Sequence, residues 1–289
     1  MFAIKSLLLA CLLILSVNAR SIEQIQESGE ILIAVYKDFP PYSFRKDGKL
    51  QGVDVDLGKL LAKSLDVKAT FNEIGADETL SDDLRLVIWK GNLIHKNKSD
   101  VMFRVPYDYD YLRLTDQYTG ELQTDMVSIK APYQSETFTI ATHKDRIDEV
   151  KTLARFAYHT IGVELDTLPD EHLSSFARGL IRHNVKHYFH YKDAVKDFLD
   201  GKIDAIAGMR SQVEYYIDYK NNKDKYLLTD GIPQVNSRWD LGTAVGTEFR
   251  PLSYHIDGLI YREYQSGNLK KLFEKYGVEY QPPIARTQN

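Results

Sequence analysis

His183, His187 and His190 stand four and three residues apart, the spacing that sets imidazoles along one helix face and lets them share a metal ion. The run from Val185 to Tyr191 reads better as a strand, however. In a strand His187 and His190 point to opposite faces, so no metal site is expected. Asp77, Glu78, Asp82 and Asp83 form an acidic cluster. It lacks the glycine and closing glutamate of a calcium loop and reads as a solvated loop leading into a helix. Glycine-rich phosphate loops, G-x-S-x-G elbows and H-E-x-x-H helices are absent from the sequence. The chemistry left is recognition. The chain has 19 tyrosines, and its turn Phe39-Pro40-Pro41-Tyr42, followed by Phe44, offers aromatic faces with polar tips. No cofactor is expected.

These groups need a scaffold. Ile31–Val35 reads as a strand, 54–65 as a helix, Val67–Glu73 as a strand, Leu84–Lys90 as a helix and 100–105 as a strand. In the helix 54–65, Leu57, Leu60, Leu61 and Leu65 share one face, and Asp54 and Asp56 sit at its positive end. A similar series follows: strand 160–163, helix 170–182, strand 185–191, helix 193–200 and strand 203–207. Such alternation predicts an α/β fold with largely parallel sheets, and its repetition predicts two similarly built lobes. Trp89 lies on an apolar helix and is read as core. The last helix carries Leu269, Leu272, Phe273 and Tyr276 at helical spacing and ends at Gly277.

The net charge of -4 and the lack of a long basic run argue against nucleic acid as a partner. Lys5, the apolar run from Ser6 to Val17 and the small-residue site Val17-Asn18-Ala19 predict a signal peptide over 1–19, and hence a mature protein outside the cytoplasm. That run is shorter than the roughly 20 residues a spanning helix needs. Cys11 is the only cysteine. Leu8-Leu9-Ala10-Cys11 resembles a lipoprotein processing site, but cleavage there would leave Leu12 to Val17 exposed. Cleavage after Ala19 leaves no cysteine, which excludes disulfides and thiolate chemistry.

The order strand, Pro-Pro-aromatic turn, polar hairpin and then G-x-D-x-D-L-x-x-x-L-A-x-x-L over Gly52–Leu65 resembles the signature of the family 3 bacterial extracellular solute-binding proteins. Val53 stands where that signature has a larger side chain. The resemblance implies a two-lobed periplasmic binding protein-like fold of type II, each lobe a central sheet flanked by helices, with two hinge crossings near 136–142 and 238–245. Lobe 1 would comprise 28–137 and 240–280, lobe 2 would comprise 138–239, and 281–289 would be a flexible tail.

The resemblance also implies a ligand in the cleft. Tyr36, Phe39 and Tyr42 would contribute the aromatic wall of lobe 1, with Tyr42 the leading candidate. Arg104, Tyr107 and Arg113 fall near the hydroxyl and carboxylate-gripping positions, where an arginine fork matches a carboxylate. In lobe 2, Ile161-Gly162-Val163 is followed by Glu164, by Asp166 in place of a glycine, and by Thr167 at a helix start, with Leu168 replacing a second threonine. Met209, beside Arg210, stands where the family places an acid for the ligand ammonium. Loss of that partner costs roughly 3–5 kcal/mol in a dry site, so a standard α-amino acid is not the expected ligand. A carboxylated, neutral or aromatic small molecule is.

The implied function is non-enzymatic: a monomeric receptor that passes a small solute to an ABC permease. Asp100–Tyr107 and Ala131-Pro132-Tyr133 resemble a divergent branch found beside quinoprotein dehydrogenases, which would make a periplasmic dehydrogenase the partner instead. The fold is also similar to that of cyclohexadienyl dehydratases, in which Glu164 or Asp166 would serve as general acid.

Overall fold

The computed structural model describes residues 20–76, 79–91, 97–108, 111–113, 115, 120, 122, 124–235 and 238–287. The expected signal peptide, and Asp77 and Glu78 of the acidic cluster, lie outside the described residues.

The chain opens with α1 (Ile22–Ser28), β1 (Glu30–Tyr36), the hairpin β2 (Phe44–Lys46) and β3 (Lys49–Gln51), α2 (Val53–Ser64) and β4 (Lys68–Ile74). It continues through α3 (Leu80–Leu84), a π-helical turn Arg85–Trp89, β5 (Val101–Tyr107) and the long β6 (Val127–His143). Then come β7 (Ile161–Glu164), α4 (Leu168–Gly179), β8 (Val185–Tyr188), α5 (Tyr191–Leu199), β9 (Ala205–Met209), α6 (Arg210–Tyr216) and β10 (Tyr226–Leu228). Last are β11 (Arg238–Gly246), α7 (Arg250–Gln265), α8 (Asn268–Lys275) and α9 (Ile284–Thr287).

The strands run β4-β1-β5-β11-β6-β9-β7-β8, with β10 beside β6. The outer pairings are parallel, as expected: β1 with β4 and β5, and β7 with β8 and β9. The middle is not, because β11 and β6 run antiparallel to their neighbours. Both are crossings between the lobes. The first part of β6 pairs β11 as far as Thr137, and from Phe138 onward it pairs β9. The return strand β11 begins opposite Thr137, at Arg238, and runs back beside β5. The two passages therefore lie side by side where the lobes meet.

Each lobe packs apolar side chains on both faces of its strands. In lobe 1, Ile31, Ile33 and Val35 face Leu57 and Leu61 of α2 and Phe273 of α8, while Ala34 and Met102 face Leu84, Val87 and Ile88. The period of two along β1 meets the helical period of α2, as the sequence pattern predicts. In lobe 2 one face gathers Ile161, Val163, Leu173 and Ile140, and the other Ala194, Phe198, Ile206 and Val213. Each fully buried aliphatic side chain contributes about 1.5–3 kcal/mol.

Two segments differ from expectation. Val185–Tyr191 is a strand only to Tyr188, and Tyr191 opens α5 with His190 as its N-cap. The tail, expected to be loose from Gln281 onward, is tied down through Thr287. The Gln281 carbonyl accepts from Ser135 N at 2.8 Å, and Ile284 N and Ala285 N donate to the Asp240 carboxylate at 2.8 Å each. Arg286 donates to the Pro132 carbonyl at 2.8 Å and to Asp257 at 2.6 Å.

Gly52 shows why the signature begins with glycine. Its φ is 133°, and a Cβ there would stand 2.1 Å from the Tyr42 carbonyl oxygen. That carbonyl accepts from Asp54 N at 2.9 Å and Pro41 O from Val53 N at 3.0 Å, so the aromatic turn caps α2. Gly52→Ala must break this seam. We expect a loss of about 3 kcal/mol or more in urea unfolding, combining the backbone penalty with the clash.

Candidate functional site

The lobes enclose a cavity of about 270 Å³ whose wall includes Phe39 from lobe 1 and Phe138, Glu164, Thr167, Tyr191 and Met209 from lobe 2. Arg104 does not line this cavity but touches two residues of its wall, Phe39 and Met209, and a β-bulge aims it at them. Val101 and Phe103 of β5 face the α2 side, and Met102 faces the other. Arg104 has φ 64° and lies where the β5–β11 register slips between Gly242 and Thr243. After it Val105 packs on the same side as Met102. The bulge thus takes Arg104 out of the strand alternation and turns its side chain toward lobe 2, a known use of bulges beside functional sites. Holding a non-glycine residue there costs of order 1–3 kcal/mol.

The guanidinium is buried and lies 3.3 Å from the centroid of the Phe39 ring, with the Tyr42 and Tyr36 rings at 5.1 and 5.3 Å. Aromatic faces stabilise a cation. Its hydrogen bonds are poorly met. Nη2 donates to Met209 Sδ at 3.3 Å, and among the described residues Nε has no partner and no carboxylate forms an ion pair with the guanidinium. A thioether is a weak acceptor. Among the described residues this buried guanidinium thus has an idle Nε and a sulfur partner, which leaves hydrogen-bonding capacity unused.

Beneath it lies a polar network spanning the crossing. Tyr42 Oη donates to Glu136 Oε2 at 2.8 Å from the lobe 1 side. From the lobe 2 side the Ser211 hydroxyl donates to the same oxygen, and Ser211 N and Thr137 N donate to Oε1 at 3.4 and 3.1 Å. Burial and the facing carboxylate push the Tyr42 phenol far above its ordinary range. Tyr42, the leading candidate for cleft contact, is thus corrected: it is fully buried, backs the Arg104 guanidinium and joins the lobes through Glu136.

The other candidates divide. Tyr36 lies under Arg104 and donates to Asp83 Oδ2 at 2.7 Å. Thr167 caps α4, accepting from Asp170 N at 3.4 Å and donating to the Glu164 carbonyl at 2.7 Å. Glu164 is half-buried, accepts from Tyr191 N at 3.1 Å, and is pushed up by burial. Three candidates stand apart. Tyr107 packs with Val105 and Ile129 in the lobe 1 core, and Arg113 is exposed on the 3-10 turn Tyr111–Arg113. Arg210 is occupied by Glu214 at 2.8 Å and Glu279 at 3.1 Å, a structural pairing that leaves no fork for a ligand. His183, His187 and His190 fall on separate elements, and His187 meets Asp170 at 2.9 Å.

Asp54, from the signature, is fully buried. Tyr133 Oη donates to its Oδ1 at 2.8 Å, while Oδ2 has no partner among the described residues. Burial raises its pKa from 3.8 to about 7, opposed by the Tyr133 hydrogen bond and the Arg104 charge. The folded protein holds this proton more tightly than the unfolded chain. Its stabilisation is therefore complete below pH 3.8 and is lost as pH rises through about 7. Asp54→Asn keeps an oxygen for Tyr133, so urea unfolding at stepped pH should show a flatter profile over that window.

The sequence-based reading passed over Phe138, Tyr191 and Glu136. The one available signal is a charged residue, Glu136, in a stretch that reads as extended.

The match to bacterial extracellular solute-binding proteins, family 3, covers residues 31–85, from β1 through α3. The L-cystine-binding protein TcyJ of Escherichia coli is 23% identical over 256 residues, 88% of this chain and 85% of that protein. The ancestral cationic amino acid solute-binding protein AncCDT-1 superposes with a TM-score of 0.67 at 21% identity, over 89% of this chain and 99% of that one. An amino acid ABC transporter substrate-binding protein from Streptococcus pneumoniae, bound to L-arginine, gives 0.62 at 17% identity, over 90% and 100%. These structures share this chain's two-lobed fold, and the family match falls on the segment that carries the signature.

Proposed function

We propose that this protein is a periplasmic receptor, exported by the signal peptide at 1–19, that holds a small carboxylated solute between its lobes and passes it unaltered to an ABC permease. The lobes correspond to 28–137 with 240–280 and to 138–239. One observation carries the reading: Arg104 is buried at the cleft with an idle Nε and no carboxylate partner among the described residues. A solute carboxylate would take both donors of the fork in place of the Met209 sulfur. Phe39, Phe138 and Met209 would cover an apolar body. Met209 supplies no charge for an α-ammonium, which separates this ligand from the arginine bound by the pneumococcal neighbour.

Titration calorimetry with small carboxylates and their amides tests the reading. The acids should bind and the amides should not; equal binding of both would contradict it. A dehydratase-like reaction is the second reading. It rests on Glu164, a cleft carboxyl pushed up by burial, and on the description of AncCDT-1 as a precursor of cyclohexadienyl dehydratase. Turnover of prephenate or arogenate would establish it, and none is expected.

A further inference from the structure

We propose that Tyr191 and Glu164 form a second polar subsite on the lobe 2 wall, and that the solute is a hydroxylated carboxylate whose hydroxyl they read. This deepens the receptor reading and rests on it. Tyr191 is buried, yet its Oη has no hydrogen-bond partner among the described residues. A buried hydroxyl left unmatched is costly, so such groups call for an explanation. The phenol end lies against Gly208: a Cβ on Gly208 would meet Tyr191 Oη and Cζ at 2.7 Å. Gly208, Tyr191 and Glu164 all line the cavity opposite Phe39. The absence of a side chain at Gly208 is what lets the phenol reach the cavity wall.

The donor and acceptor balance selects the ligand group. The Tyr191 proton needs an acceptor. The Glu164 carboxylate accepts from Tyr191 N through Oε1 and can take a further donor on its other oxygen. A hydroxyl supplies both at once, because its oxygen accepts while its proton is donated. An ammonium supplies donors alone and leaves the phenol proton unmatched. A methyl group leaves both unmatched. With Arg104 on the opposite lobe, the solute spans the cleft: carboxylate toward lobe 1, apolar middle against Phe39 and Met209, hydroxyl toward lobe 2.

The test uses matched probes, 4-hydroxybutyrate and 5-hydroxypentanoate against butyrate, pentanoate and 4-aminobutyrate, by titration calorimetry on wild type, Tyr191→Phe, Glu164→Gln and Arg104→Met. In wild type the hydroxy acids should bind at least tenfold more tightly than the plain acids or the amino acid. Tyr191→Phe should erase that preference while leaving the affinity for plain acids within about twofold. Because it removes an unmatched hydroxyl, its unliganded melting temperature should equal or exceed that of wild type, which separates recognition from folding. Equal affinity for hydroxy and plain acids in wild type, tighter binding of 4-aminobutyrate, or a parallel loss of both acid types in Tyr191→Phe would overturn the subsite. If the acids bind through Arg104 without preference, only this inference fails. If none of the acids binds, the receptor reading fails as well.

Discussion

Arg104→Met should reduce solute affinity by about 30- to several thousand-fold, the range for removing one partner of a buried charge pair, about 2–5 kcal/mol. The same change should leave the unliganded protein as stable as wild type, or more so. Arg104 in the free protein is a buried cation that donates to a thioether and lacks a carboxylate among the described residues. Replacing such a charge with a flexible apolar side chain of similar length removes a desolvation cost. The left-handed backbone strain is common to both side chains and cancels. Arg104→Lys keeps the charge but loses the planar fork that presents two donors to a carboxylate, so it should recover little of the affinity. Binding and stability are thus expected to move independently or in opposite directions, as at sites kept for function rather than for folding. Calorimetric titration and thermal unfolding of the same preparations check this. An unfolded or strongly destabilised Arg104→Met would show that the arginine supports the fold instead.

Glu136→Ala is expected to have the largest effect on stability. The carboxylate is almost fully buried and accepts from Tyr42 Oη, Ser211 Oγ, Ser211 N and Thr137 N. Removing it leaves these donors without their acceptor at the junction of the lobes, a loss of about 3–5 kcal/mol. At about 2–4 °C per kcal/mol for chains somewhat shorter than this one, the melting temperature should fall by about 10 °C. Tyr42→Phe removes one charge-assisted bond and should cost about 1.5–3 kcal/mol. Because Tyr42 and Ser211 share one carboxylate oxygen from opposite lobes, the pair Tyr42→Phe and Ser211→Ala should be non-additive in a double-mutant cycle. The exposed pair Lys275–Asp56 provides the contrast: Lys275→Ala should cost no more than about 1 kcal/mol.

Much of the scaffold was legible because local pattern and tertiary role agree. The apolar run of β1, the α2 stripe and the repeated strand–helix series each bury the face their period predicts. The crossings read as extended, and they are. What could not be read depends on register and on partners distant in sequence. Arg104 was chosen from its position in a signature. Its orientation, however, comes from a one-residue slip against β11, which no local pattern of β5 reveals. Tyr191 was taken for the end of a strand because aromatic and β-branched residues crowd 185–191. The strand stops at Tyr188, and Phe189 is 84% exposed. Tyr107 and Arg210 have suitable side chains and neighbouring positions, yet one faces the core and the other is neutralised by two glutamates. The tail with Pro282-Pro283 looks structureless until Asp240 and Asp257 are brought beside it.

A crystal structure of the protein grown with the tightest-binding acid of the panel tests the central claim most directly. The solute carboxylate should accept from Arg104 Nε and Nη2 between Phe39 and Met209, with the sulfur contact given up. A carboxylate bound at Arg113 or outside the interlobe cleft, with Arg104 still resting on Met209, would contradict the account.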